Sequence, residues 1–140
     1  MEERPLSNLE FIVVHHSDTP RDFTVEQIRQ IHLALGFSDI GYHYLINNGG
    51  LHVGRDIKFN GAHAIGEKGI FKTVSPNYHA IGICIIGNFE DNPLPDNLAN
   101  ETAYAIKRIA KKYDIILDRE HILGHREVSF TACPGKDTMH

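Results

Sequence analysis

Cysteine is scarce in this 140-residue chain, which contains only Cys84 and Cys133. Two cysteines close at most one bridge, and a chain of this length needs none, so a cysteine-stapled scaffold is excluded. Long apolar runs are missing too. The longest, Phe11 to Val14 and Ile81 to Gly87, fall far short of the roughly 20 residues that cross a bilayer, so stable membrane insertion is not expected. Nor is there an excess of positive charge. Fourteen basic side chains against 18 acidic ones leave a formal charge of -4, which removes the general electrostatic case for a nucleic-acid partner. The acidic N-terminal stretch MEERPLSNLE has no hydrophobic segment behind it. It carries no signal-peptide pattern, and synthesis in a cytoplasm is expected.

What is present reads as one folded domain over residues 1–140, long enough to bury roughly two thirds of its unfolded surface. Glu10 to His16 is a strand rich in branched residues, ending at His15 and His16 before Ser17-Asp18-Thr19-Pro20. Thr24 is the candidate N-cap of a helix, with Gln27 three positions on and Gly36 at its stop. Val25, Ile28, Ile31, Leu33 and Leu35 form most of its apolar face, so His32 in that helix reads as a surface or packing residue. Tyr42 to Ile46 and Leu51 to Val53 flank Asn47-Asn48-Gly49-Gly50, a hairpin signal.

Residues 60–79 read as loops bordering a site. Ala80 to Asn88 is a nearly uninterrupted apolar strand, and Pro93-Leu94-Pro95 breaks the chain after it. Ala103, Ile106, Ile109 and Ala110 predict the buried face of a helix over 99–113, with Lys107, Arg108, Lys111 and Lys112 on its solvated side. Ile115 to Leu117 reads as a short strand, and 121–133 as a loop-rich return. The order predicts an α/β fold, a mixed sheet flanked by helices in two or three layers.

Ten histidines and the two cysteines carry the chemistry. Cys84, inside IGICIIG, suits packing as a small apolar side chain. Cys133, in the polar, turn-rich SFTACPG, suits a ligand. His15, His125 and Cys133 are residue types that bind Zn²⁺ well, and three protein ligands leave a fourth tetrahedral position open, as catalytic zinc requires. Their spacing alone leaves other histidine combinations open. His16, next to His15 on an extended strand, is expected to point to the opposite face, and His43 is a candidate to support the site. Arg55 is a candidate to receive a substrate carboxylate, and His63, Asn77 and His79 are candidates to line a polar groove.

Four words occur in one order: FIVVHHS, DIGYHYLINNGGLHVGRD, GAHA followed by NYHAIGICIIG, and GHREVSFTACPG. Over nearly the whole chain this resembles the amidase_2 superfamily of N-acetylmuramoyl-L-alanine amidases, which takes in phage T7 lysozyme-like enzymes and peptidoglycan recognition proteins. The resemblance implies the T7 lysozyme-like amidase fold and places zinc on His15, His125 and Cys133. It implies an active-site tyrosine at Tyr42, which would position water, assist proton transfer and stabilise the charged intermediate, and a second polar catalytic position at Thr131. T7-like enzymes usually carry lysine at that second position. A neutral hydroxyl cannot supply lysine's charge, so Thr131 suits hydrogen bonding. Another branch carries a catalytic glutamate where Cys84 stands, which favours the tyrosine-using branch here.

The implied substrate is peptidoglycan or a muropeptide, cut at the amide between N-acetylmuramic acid and L-alanine by a monomer. The enzyme would act at the cell wall after phage lysis or delivery, with recycling and effector settings also open. Two other readings stand beside it: a peptidoglycan-binding module that does not hydrolyse, and a structural zinc domain closed by a fourth ligand such as His16. Pro134 and Gly135 are expected to fix the turn after Cys133, and the chain ends soon afterwards in a short or truncated tail.

Overall fold

The computed structural model describes residues 1–90, 92–131 and 133; the expected turn at Pro134 and Gly135 and the tail lie outside them. Five strands form one mixed sheet in the order β3-β2-β4-β1-β5. β1 (Phe11–His16) runs parallel to β4 (Ala80–Ile85) on one side and to β5 (Ile122–Gly124) on the other. β2 (Tyr44–Asn47) is parallel to β4 and antiparallel to β3 (Gly50–Val53), the hairpin that the Asn-Gly turn predicts. The two central strands are buried at every position, as a sheet covered on both faces demands.

Alternation along these strands sorts the core. Ile12 and Val14 of β1 and Ile81, Ile83 and Ile85 of β4 meet Leu98, Ala105, Ile109 and Ala110 of α3 (Asp96–Lys112). On the opposite face, Leu45 and Cys84 pack with Ile28 of α1 (Val25–Ala34), Ile40 and Ile86. Phe11, Val13 and Ala80 pack there with Ala64, Phe71, Leu123 and Val128. The second face is therefore covered by α1 toward one end and by the 60–75 segment toward the other, making three layers.

Thr24 caps α1 as its sequence predicts, its hydroxyl accepting the Gln27 N–H while the Gln27 side chain accepts the Thr24 N–H. His32 accepts the Gly41 N–H at 2.8 Å and packs against Phe37 and Tyr42. Three expectations need correction. The buried stripe of α3 runs through Leu98, Thr102, Ala105, Ile109 and Ala110, leaving Ala103 exposed. Ile115 to Leu117 is not a strand, because Asp114 turns the chain with a positive φ and Ile116 and Leu117 are exposed. The sheet instead takes its last strand from Ile122–Gly124. The 60–79 segment also contains two helical turns, Gly69–Lys72 and α2 (Pro76–His79), set into its loops.

The N-terminal arm is tied in by one buried cation. The Arg4 guanidinium donates to the carbonyls of Ile57, Asn77, Tyr78 and Ala80, and the Arg4 N–H donates to Lys58 O at 2.8 Å. Among the described residues, no helix is long and apolar enough to cross a membrane.

Candidate metal centre

His15 lies near the carboxyl end of β1, and His125 opens the turn that follows β5. Because β1 and β5 are parallel neighbours, residues 110 positions apart arrive side by side, at the strand ends where open α/β sheets hold ligands. Cys133 comes from the return loop, whose shape is fixed locally. Arg126 N–H donates to Cys133 O at 2.8 Å, and Cys133 N–H donates to the Thr131 hydroxyl at 3.3 Å.

The ligand atoms of His15, His125 and Cys133 lie within 4.8 Å of one another. The His15 and His125 Nδ1 atoms are 3.1 Å apart, close to the roughly 3.3 Å between two nitrogens bound tetrahedrally to one zinc. Burial holds His15 well below the usual imidazole range and pushes His125 down to about 4, so both rings are neutral at neutral pH and each keeps one ring nitrogen with a lone pair. Burial also raises the Cys133 thiol to about 12. Its conversion to a ligating thiolate therefore needs a cation beside it, and the His16 N–H aimed at Sγ from 3.1 Å supplies a further stabilising donor. Two neutral imidazoles and a thiolate converging in this way fit a borderline-soft divalent cation.

His16 takes no part in this cluster. Its side chain lies on the other face of the sheet, buried, with Nδ1 accepting the Phe89 N–H at 3.0 Å. Among the described residues the cluster has three members, so the four-ligand structural site finds no fourth donor there. Cys84 pairs in register with His15 on the neighbouring strand and is fully buried; both cysteines are free.

Tyr42 packs against His15 with ring centroids 5.1 Å apart. Burial, and the Cys84 and Cys133 sulfurs beside it, raise its hydroxyl well above the usual phenol range. Thr131 is exposed and lines a cleft of about 410 Å³ with His63, Asn77, His125, Glu67 and an apolar set that includes Phe37, Ile65 and Phe130.

The four groove candidates separate. His63 and Asn77 line this cleft, but the Asn77 carboxamide oxygen is occupied by the N–H groups of His63 and Ala64 at 2.8 and 3.0 Å. Arg55 is turned inward, and its guanidinium donates to the carbonyls of Ile40, Asn60 and Asp39. It pins three loop segments together and presents nothing to this cleft. His79 stands beside the opposite end of β4 with Nδ1 against Asn8 O, because the strand places Ala80 and Cys84 at different ends.

His43, the supporting candidate, is fully buried. Its Nδ1 accepts the Gly82 N–H and its Nε2 faces Phe59 O. Burial and the nearby Arg4 guanidinium push it down to about 3. Two residues escape a reading of the sequence. Glu67 brings a carboxylate to the cleft and raises His125 against the effect of burial. Glu127 accepts the Gly124 N–H and pairs with Arg119, shaping the turn that carries His125. A Glu two positions after the candidate ligand His125 is the only signal the sequence offered for the second, and nothing marked the first.

Comparison with known proteins places the chain in a family. A family model described as N-acetylmuramoyl-L-alanine amidase matches residues 5–136. The endolysin of enterobacteria phage T3 is 30% identical, over 96% of this chain and 85% of its own length. A peptidoglycan-recognition protein of Drosophila melanogaster is 31% identical, over 89% of this chain and 67% of that protein. Among solved structures, the N-acetylmuramoyl-L-alanine amidase LysC from Clostridium intestinale URNW superposes with a TM-score of 0.78 at 28% identity, over 95% of this chain and 81% of the other.

Proposed function

This chain belongs to the N-acetylmuramoyl-L-alanine amidase family, and we propose that it hydrolyses the amide between N-acetylmuramic acid and L-alanine of peptidoglycan, using zinc held by His15, His125 and Cys133. The observation that carries the proposal is the convergence of three donors within 4.8 Å, with His125 also forming part of the cleft wall. When bound, zinc would activate water and polarise the scissile carbonyl.

The chain's own groups divide the rest of the work. Because burial keeps Tyr42 a phenol, its O–H is suited to donate to an oxygen that gains negative charge, and not to accept a proton as a phenolate would. Thr131, neutral and exposed at the cleft, is suited to orient substrate by hydrogen bonding. Phe37, Ile65 and Phe130 offer apolar surface beside the polar wall of Glu67, His125 and Thr131, a mixture that suits the junction of a sugar and a peptide. We read residues 1–140 as one amidase domain whose place of action is the cell wall.

The test is mass analysis of muropeptides after incubation with the protein, before and after chelation. Release of the free stem peptide, lost on chelation and restored by zinc, is expected. Intact muropeptide in the presence of folded, zinc-loaded protein would sink the assignment and leave a binding module.

A further inference from the structure

We propose that His63 is a positioning residue for the metal centre: its Nδ1 accepts the Nε2–H of His15 and so aims the His15 Nδ1 lone pair at the site shared with His125 and Cys133. The inference rests on the zinc reading above.

A neutral imidazole carries one proton on two nitrogens. Nδ1 of His15 faces Nδ1 of His125 at 3.1 Å, so for His15 to act as a ligand there its proton must sit on Nε2. His15 is 1% exposed, and the atom facing its Nε2 is Nδ1 of His63, at 2.9 Å. The opposite polarity would place the His15 proton on Nδ1 and block the lone pair that the metal needs. Ligand histidines commonly donate their one remaining ring N–H to a carboxylate or carbonyl, which fixes the tautomer; here a second imidazole stands in that place.

The position of His63 is built for this contact. Its ring lies over Gly82 of β4, where an added Cβ would come within 2.7 Å of the ring, and against Gly61, where an added Cβ would overlap it. Its backbone N–H is held by the Asn77 side chain. With Nδ1 accepting, the His63 proton falls on Nε2, which is buried with no partner at good hydrogen-bond geometry, the Ala80 backbone being its ring's polar neighbour there. A buried donor with so poor a partner costs stability, and where one persists it calls for a functional explanation. Holding the His15 tautomer is such an explanation. The neighbouring His43 cannot serve instead, since Gly82 N–H and Phe59 O engage its two nitrogens.

In ¹⁵N-labelled, zinc-loaded protein, NMR coupling across the N–H···N bond should connect a protonated His15 Nε2 to an unprotonated His63 Nδ1. A proton found on His63 Nδ1 overturns the inference, and this measurement needs no variant. His63→Asn returns an acceptor oxygen near the place of Nδ1, whereas His63→Leu has the same size without an acceptor. Chelator competition should show zinc binding about 10- to 100-fold weaker in His63→Leu and close to wild type in His63→Asn. Equal affinity of the Leu variant and wild type overturns the role of His63 alone. Wild-type protein that takes up no zinc overturns the zinc reading and this inference together.

Discussion

Removing the Cys133 sulfur takes away one of three donors and leaves two neutral imidazoles, so Cys133→Ala is expected to lose zinc and amide hydrolysis together. Tyr42→Phe keeps the ring that packs on His15 and removes only the hydroxyl. Zinc content should then be unchanged while turnover falls by about 10²- to 10³-fold, the usual loss for one donor to a developing oxyanion. Metal analysis beside initial rates checks both, and unchanged turnover in Tyr42→Phe with chemistry limiting would remove its assigned role. The three donors, which the fold brings together, were legible because the ordered set of words around them is specific, whereas their residue types and spacing alone left other histidine combinations open. The orientation of Arg55 was not, since only the fold decides whether a guanidinium meets solvent or three carbonyls.

At the level of elements, helix α3 gives a direct contrast. Ala105 is 3% exposed against the sheet, whereas Ala103 lies on the solvent side. Ala105→Glu buries a carboxylate without a partner and should cost several kcal/mol, while Ala103→Glu should stay within about 0.5 kcal/mol of wild type. Urea unfolding of the two variants measures this, and similar losses would place the helix face wrongly. Elements with several periods of pattern or strong end signals, such as β1, α1, the hairpin and β4, were readable from sequence. β5 was not: three residues are too few for a period to show, and Ile122–Gly124 is a strand because the outer edge of β1 needed a partner. Ile115 to Leu117 carried the stronger local signal, yet the turn at Asp114 takes it away from the sheet.

Acid should weaken the molecule as a whole. His43 is held near 3, and His15 and His63 well below their usual value, all chiefly by burial. The folded state therefore resists protons that the unfolded chain accepts below about 6.5. Their contribution to stability is complete above that pH and is lost as pH falls toward the folded values, at about 1.4 kcal/mol per pH unit for each imidazole that resists. Urea midpoints of the metal-free protein should fall between about pH 7 and 5. A flat profile there would show that these rings can be charged in place.

The separation of the ligands along the chain has a mechanical meaning. An ion gripping His15 and His125 fastens two points 110 residues apart, and because the unfolded chain does not hold these donors together, the free energy of binding the ion adds to the stability of the fold. The exposed residues around Ile70 fall inside this loop. A protease that cut there would leave two fragments still buckled together at the ion, whereas the same cut after chelation would free their ends. The centre proposed for chemistry would thus also act as a clasp on the chain.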